Sequence, residues 1–389
     1  MKPLVIDVET TISNKGNPFD QTNRLCYVGL STGLEGVSKL YDIEYSLDPY
    51  VPALDEIQKR IDEVDVLVGF NIKFDLHWVK RYGISFSNKR IWDCQLVHFI
   101  LSGQTAAYPS LNSVAAHYGL GTKLDVVANE YWANGIDTPS IPSDILEEYL
   151  QGDLDLTYQV YLKQLEEVSK KSQQFQRLIS LHNQDLLGLQ EMEFNGLLFN
   201  KTKSEELANE LDIEIETLDK NIYKYHNCPS FNPNSGDHLS SLLYGGNLKL
   251  SRKVPIGFFK TGPRKGEVKE KWEDYLHPLP RLFTPPEGSE LAKPGYYSTD
   301  EYTLKSLKSK SSSSMKAIQT LLKRSELEKR VSTYYRGLPK LASELNWKEN
   351  EIHGQLNQCV ARTGRLSSSK PNLQNFDGGI KELFYTRFA

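Results

Sequence analysis

Residues 4–11, LVIDVETT, form an apolar run that ends in Asp7 and Glu9. An unbroken run rich in Val and Ile predicts a buried β-strand, and residues two apart on a strand share a face. Two carboxylates therefore stand side by side where the strand ends. Like charges so close repel unless a cation sits between them, which makes the pair a candidate divalent-metal site. The plainer alternative has one acid capping the next turn and the other solvated.

The charge along the chain is uneven. Up to residue 160 there are 12 Lys and Arg against 22 Asp and Glu; beyond it, 34 against 28. An acidic part that concentrates metals, joined to a basic part that holds a polyanion, suits work on DNA or RNA. No stretch approaches the length of a membrane span, and the N-terminus shows no basic and apolar leader, so a soluble, cytoplasmic protein without membrane contact is expected. The four cysteines (26, 94, 228 and 359) lie far apart, with no C-x-x-C pair, and predict neither a zinc site nor a disulfide framework.

Strands are expected at 25–31 and 37–43, a helix at 52–63, a strand at 64–70 and a helix at 75–82, an order that predicts an α/β sheet with later parallel pairing. Helical patterns follow at 111–126, at 143–170 from a Ser N-cap, and at 175–194 with an Asn-Gly stop. The run KSLKSKSSSS at 305–314 reads as a flexible loop tip. Residues 249–265 carry six Lys and Arg, no acid, and Phe258 and Phe259; they read either as a solvated insertion or as a nucleic-acid contact.

Two further fragments answer the opening pair. GFNIKFDLHW sets Asn71 and Asp75 just past a strand, and YLQGD puts Tyr149 and Asp153 four apart on one helical face. Asp93 and Asp155 are nearby acids, read as structural or outer-sphere. D-x-E, N-x-x-x-D and Y-x-x-x-D in this order closely resemble the DEDDy 3′ to 5′ exonucleases. The resemblance implies a ribonuclease-H-like domain in which Asp7, Glu9 and Asp153 bind one metal ion, Asp7 bridges to a second, Asp75 holds that second ion mostly through water, and Tyr149 orients the attacking water. Thr10 and Asn71 are the DNA contacts expected of this module. Oxygen ligands without His or Cys favour Mg²⁺ or Mn²⁺, and two divalent ions supply what phosphodiester hydrolysis needs.

Beyond residue 180 the chain resembles family A DNA polymerases of the phage type. LGLQEMEFNGLLFN, FNPNSGDHLSSLLYG and RSELEKRVSTYYRGLPKLA match the thumb, and ARTGRLSSSKPNLQN at 361–375 matches the start of the palm. In that last run Arg362 and Arg365 offer charge for phosphates, while Asn372, Gln374 and Asn375 offer amides for base edges. The family's later aspartate, K-x-x-x-Y-G and H-D-E motifs are missing from the sequence.

The expected architecture is thus an α/β ribonuclease-H-like exonuclease domain (1–170, mixed sheet with flanking helices), a mostly helical thumb (171–350, basic insertion at about 247–297) and the start of an α+β palm (351–389). The expected function is proofreading hydrolysis of single-stranded 3′ ends and grip on primer-template, with polymerisation left to a missing part or a second polypeptide. The competing expectation is a non-catalytic DNA-binding or assembly subunit of a split polymerase.

Overall fold

The computed structural model describes residues 2–33, 38–43, 52–122, 125–226 and 231–387. The chain divides into two compact units, Met1–Lys201 with Leu338–Ala389, and Thr202–Gly337. The first unit begins with β1 (Pro3–Thr10), β2 (Leu25–Ser31), β3 (Lys39–Asp42), α1 (Pro52–Asp62), β4 (Val66–Gly69) and α2 (Lys73–Arg81). It continues through β5 (Arg90–Asp93), α3 (Cys94–Leu101), α4 (Leu111–His117), α5 (Ser143–Ser169), α6 (Gln173–Asn195) and β6 (Leu197–Phe199). The first five strands make one sheet in the order β3-β2-β1-β4-β5; β1–β2 and β2–β3 are antiparallel, β1–β4 and β4–β5 parallel.

The central place of β1 explains its unbroken apolar run, since a strand covered on both faces has no solvent side to keep polar. Leu4, Ile6 and Val8 join a core with Ile57 and Ile61 of α1 and Leu76 of α2. Val5 joins a different core with Leu154, Leu156 and Val160 of α5. Side chains alternate across the strand, so Asp7 and Glu9 share the face of Val5, the one that α5 covers.

Several expectations are corrected. Residues 90–101 contain a strand and a helix that no pattern announced, because RIWDCQLVHFIL has no Gly or Pro to punctuate it. The switch is Asp93, whose carboxylate accepts from the amides of Gln95 and Leu96 and so caps α3. The N-cap of α5 is Pro142, with no side-chain cap, and Ser143 is already helical. α4 stops at His117, and Lys123 and Leu124 of the expected longer helix lie outside the described residues, as do Val37 of the expected third strand and Cys228. The other three cysteines are buried free thiols.

The second unit follows with α7 (Lys201–His226), α8 (Gly236–Tyr244), β7 (Gly246–Phe258), β8 (Val268–Leu279), α9 (Glu301–Ser306) and α10 (Ser312–Lys329). Its core gathers Leu242, Leu243, Leu248, Leu250, Leu304 and Ile318. The Lys/Ser run at 305–314 is a loop only at 307–311: it ends α9, buries Leu307, and starts α10, where Ser311 Oγ caps by accepting from the Ser314 amide. The basic run at 249–265 forms most of β7 and its turn. Antiparallel β8 answers it with acids, Lys249 meeting Asp274 at 2.8 Å and Lys253 meeting Glu270 at 3.7 Å.

The chain rejoins the first unit through α11 (Gly337–Glu344), then β9 (Glu351–Ile352), β10 (Gln355–Asn357), β11 (Ser367–Ser369), α12 (Gly378–Lys381) and β12 (Phe384–Tyr385). β6 pairs with both β9 and β12, and β10 with β11.

Candidate metal centre

Asp7 and Glu9 leave β1 toward α5, and α5 brings Asp153 to them: one carboxylate oxygen from each lies within 4.8 Å of the other two. Two local features permit this. Gly29, the partner of Asp7 on β2, has no side chain, and a Cβ there would come to 2.8 Å from Leu154 and 3.0 Å from Leu150 of α5. The β1–β2 register slips between Glu9 and Thr10, a bulge where the strand delivers its second acid. Glu9 and Asp153 are buried and Asp7 is half-buried.

Asp75 sits in the first turn of α2, buried, and its carboxylate accepts from the Val8 amide at 3.1 Å. Burial, and next the charge of Asp7, hold its carboxyl well above the usual range. Tyr149 lies one turn before Asp153 on α5. Burial, then the charges of Asp153, Glu9 and Asp7, push its phenol far above the ordinary value, so it keeps its proton at neutral pH. Three acids thus form the cluster, and the fourth acid and the phenol feel its field. The donor set is oxygen only, which fits Mg²⁺ or Mn²⁺.

The neighbouring residues hold the frame. The Thr10 carbonyl accepts from Thr138 Oγ1 at 2.6 Å. The exposed Asn71 adopts φ 58°, and its amide donates to Asp93. Asp93 also caps α3 and is buried, which lifts its carboxyl to about 6. Asp155 lies apart from the cluster, accepting from Gln151 at 2.9 Å.

Sequence reasoning missed a buried network on α2. Glu193 of α6 accepts from Lys73 Nζ at 2.6 Å, contacts His77 Nε2 at 2.8 Å, and accepts from the Leu356 amide. The i, i+4 spacing of Lys73 and His77 was its only signal.

In residues 361–375 the two arginines are exposed. The amides partly hold their own loop: Asn372 accepts from the Gln374 amide at 3.1 Å, and Gln374 Nε2 donates to the Leu366 carbonyl at 3.0 Å. Asn375 closes the same short 3-10 turn.

Residues 281–386 match the sequence model of the family described as DNA polymerase family A. The chain is 24% identical over 432 aligned positions to the DNA polymerase of Bacillus phage SP01, covering 99% of this chain and 45% of that protein. It is 27% identical to DNA polymerase I of Synechocystis sp., covering 78% of this chain and 26% of the relative. The chain therefore spans less than half the length of these curated relatives. Among solved structures it resembles the polymerase domain of Pol1 from M. smegmatis, in complex with DNA primer-template and dNTP, at TM-score 0.58 and 16% identity, over 96% of this chain and 52% of that one.

Proposed function

We propose that this chain, a member of DNA polymerase family A, carries in its first unit a metal-dependent 3′ to 5′ exonuclease site and holds DNA with its remaining parts. The observation that carries the reading is the convergence of Asp7, Glu9 and Asp153 within 4.8 Å. Gathering three like charges, two of them buried, is costly for structure alone and useful for holding cations. The sheet order β3-β2-β1-β4-β5, with its antiparallel-then-parallel pairing, supports a ribonuclease-H-like reading of the domain.

In this reading Asp7, Glu9 and Asp153 hold one ion, and Asp7 with Asp75 the second. Two such ions, when bound, would supply hydroxide as nucleophile near neutral pH, the proton leaving to solvent, and would offset charge on the departing 3′-oxygen. The protonated Tyr149 phenol donates one hydrogen bond and accepts another, and so orients the water. Thr10 and Asn71 contact the terminal nucleotides. Arg362 and Arg365 bind backbone phosphates, and Asn372, Gln374 and Asn375 sit at base edges of the primer-template.

The test is digestion of 5′-labelled single-stranded DNA. With Mg²⁺ or Mn²⁺ the products should shorten from the 3′ end, releasing 5′-mononucleotides, and EDTA should stop it. DNA binding without metal-dependent shortening would sink the nuclease and leave the non-catalytic subunit. The match at residues 281–386 favours a second role, in nucleotide addition. That role is proposed for this chain together with the portion of its relatives that it does not cover, on the same polypeptide or a second one.

A further inference from the structure

Side chains along β7 and β8 alternate between two faces of the ribbon, and the register fixes which of them share one. One face carries Leu248, Leu250 and Tyr275, which join the core of the second unit. The opposite face carries Phe258, Val268, Trp272 and Leu276, and these are exposed by 65%, 46%, 63% and 62%. Single apolar side chains in solvent are ordinary; four large ones in one row mark a contact surface. Val268, Trp272 and Leu276 follow one another at intervals of four, so the row runs about 26 Å along the ribbon.

The charges on this face are segregated by strand. Its lysines, Lys249 and Lys253, lie on β7, and its acids, Glu270 and Asp274, lie on β8. Within the ribbon they pair, and the Lys253 ammonium also stands over the Trp272 ring, 5.5 Å from its centroid. The two acids sit on either side of Trp272, against the approach of a phosphate backbone. They suit a partner surface with an apolar centre and its cations and anions in the complementary order.

A second copy of the same ribbon has that order. Turned about a twofold axis parallel to the strands and laid face to face, it sets β7 of each copy on β8 of the other. The lysine-bearing strand then meets the acid-bearing strand twice, Phe258 meets the other copy's Val268, and Lys253 meets the other copy's Trp272. An axis across the strands would instead stack lysines on lysines and acids on acids. β7 and β8 have 13 and 12 residues, which gives a face of roughly 400 Å² per copy, about half of a standard interface, so the pairing is weak and concentration-dependent.

We propose that the outward face of the β7–β8 ribbon is a self-association surface, on which two copies of the chain pair as a closed twofold dimer centred on Trp272. The assignment does not depend on the exonuclease reading.

Sedimentation velocity of the full chain without DNA, in a concentration series reaching the high micromolar range, tests it. A reversible monomer–dimer equilibrium is expected, with no larger species, because a twofold contact closes on itself. Trp272→Glu should weaken dimerisation at least about tenfold, since it replaces the central aromatic anchor by another acid beside Glu270 and Asp274. Trp272→Phe should keep most of it, and Lys271→Ala, on the opposite face, should leave it unchanged. Trp272 and Lys271 are exposed in the single chain, and melting curves check that the fold is kept. A chain that stays monomeric at every concentration overturns the assignment, and if its DNA binding falls with Trp272→Glu alone, the face belongs to DNA instead. A dimer that survives Trp272→Glu, or that Lys271→Ala disrupts equally, overturns it as well.

Discussion

At the carboxylate centre, three acids from two elements 146 residues apart in sequence come within 4.8 Å, two of them buried. Along the β7–β8 ribbon, Lys249 and Lys253 stand in solvent and each meets an acid across the strand pair. Both regions look charged in sequence, yet only one stays concentrated once its partner strand or helix arrives. Exposed opposite charges contribute little and are common. Gathered like charges with little access to water are a liability unless a ligand uses them.

That contrast is broken most directly at Asp7. If the gathered charge exists to hold metal, Asp7→Asn should cut 3′-end cleavage by roughly 10³-fold. The same change should raise the melting temperature in EDTA, because one like charge is gone. A variant that is both inactive and less stable would mean the acid serves the fold. Next in size is Gly29→Val. Its branched side chain would meet Leu150 and Leu154, push α5 from the sheet and carry Asp153 away from Asp7. Overpacking of this kind costs about 1–3 kcal/mol. Cleavage should fall with Asp7, Glu9 and Asp153 all present, and unchanged cleavage would mean that α5 is not held at that distance by Gly29.

How much of this was legible in the sequence follows the same division. β1, β2, α1, α5 and α6 were readable to within one or two residues at most ends, because periodicity and caps are local. The order of D-x-E, N-x-x-x-D and Y-x-x-x-D was readable too; the fold brings Asp7, Glu9 and Asp153 together and sets Asp75 and Tyr149 within reach of their charge, while Asn71 turns its amide to Asp93. The role of Gly29 was not, since a missing side chain matters only through a helix some 120 residues later. Nor was Glu193, whose partners Lys73, His77 and Leu356 lie far away in the chain. The basic run at 249–265 stayed open between a solvated insertion and a nucleic-acid contact for the same reason: its countercharges sit on β8, beyond the turn.

Asp93 sharpens the comparison with a single buried charge. Its folded pKa is about 6 against an ordinary 3.8, with burial as the largest cause. The charged form therefore costs stability above pH 6, and the cost fades as pH falls through 6 and is gone below about 4, the reverse of an ion-paired carboxylate. Asn keeps an oxygen for the amides of Asn71, Gln95 and Leu96. In EDTA, Asp93→Asn should gain about 1–2 kcal/mol at pH 7.5, less than the shift alone implies because its new NH₂ needs a partner. The gain should vanish near pH 4 in chemical denaturation; a gain independent of pH would remove burial of the charge as its cause.

The smallest effect belongs to the ribbon. Lys249→Ala and Lys253→Ala each remove one member of an exposed pair, and neither pair closes a core: Lys249, Lys253, Asp274 and Glu270 are all exposed. Side-chain freedom regained in the unfolded and folded states nearly cancels, and salt already screens the attraction. The melting temperature should stay within error of the parent at both low and high salt. A clear salt-dependent drop would show that the ribbon's charges act as a network. The comparison would then turn on sign, because matched charge in solvent would stabilise the native state while the gathered charge at the carboxylate centre opposes it.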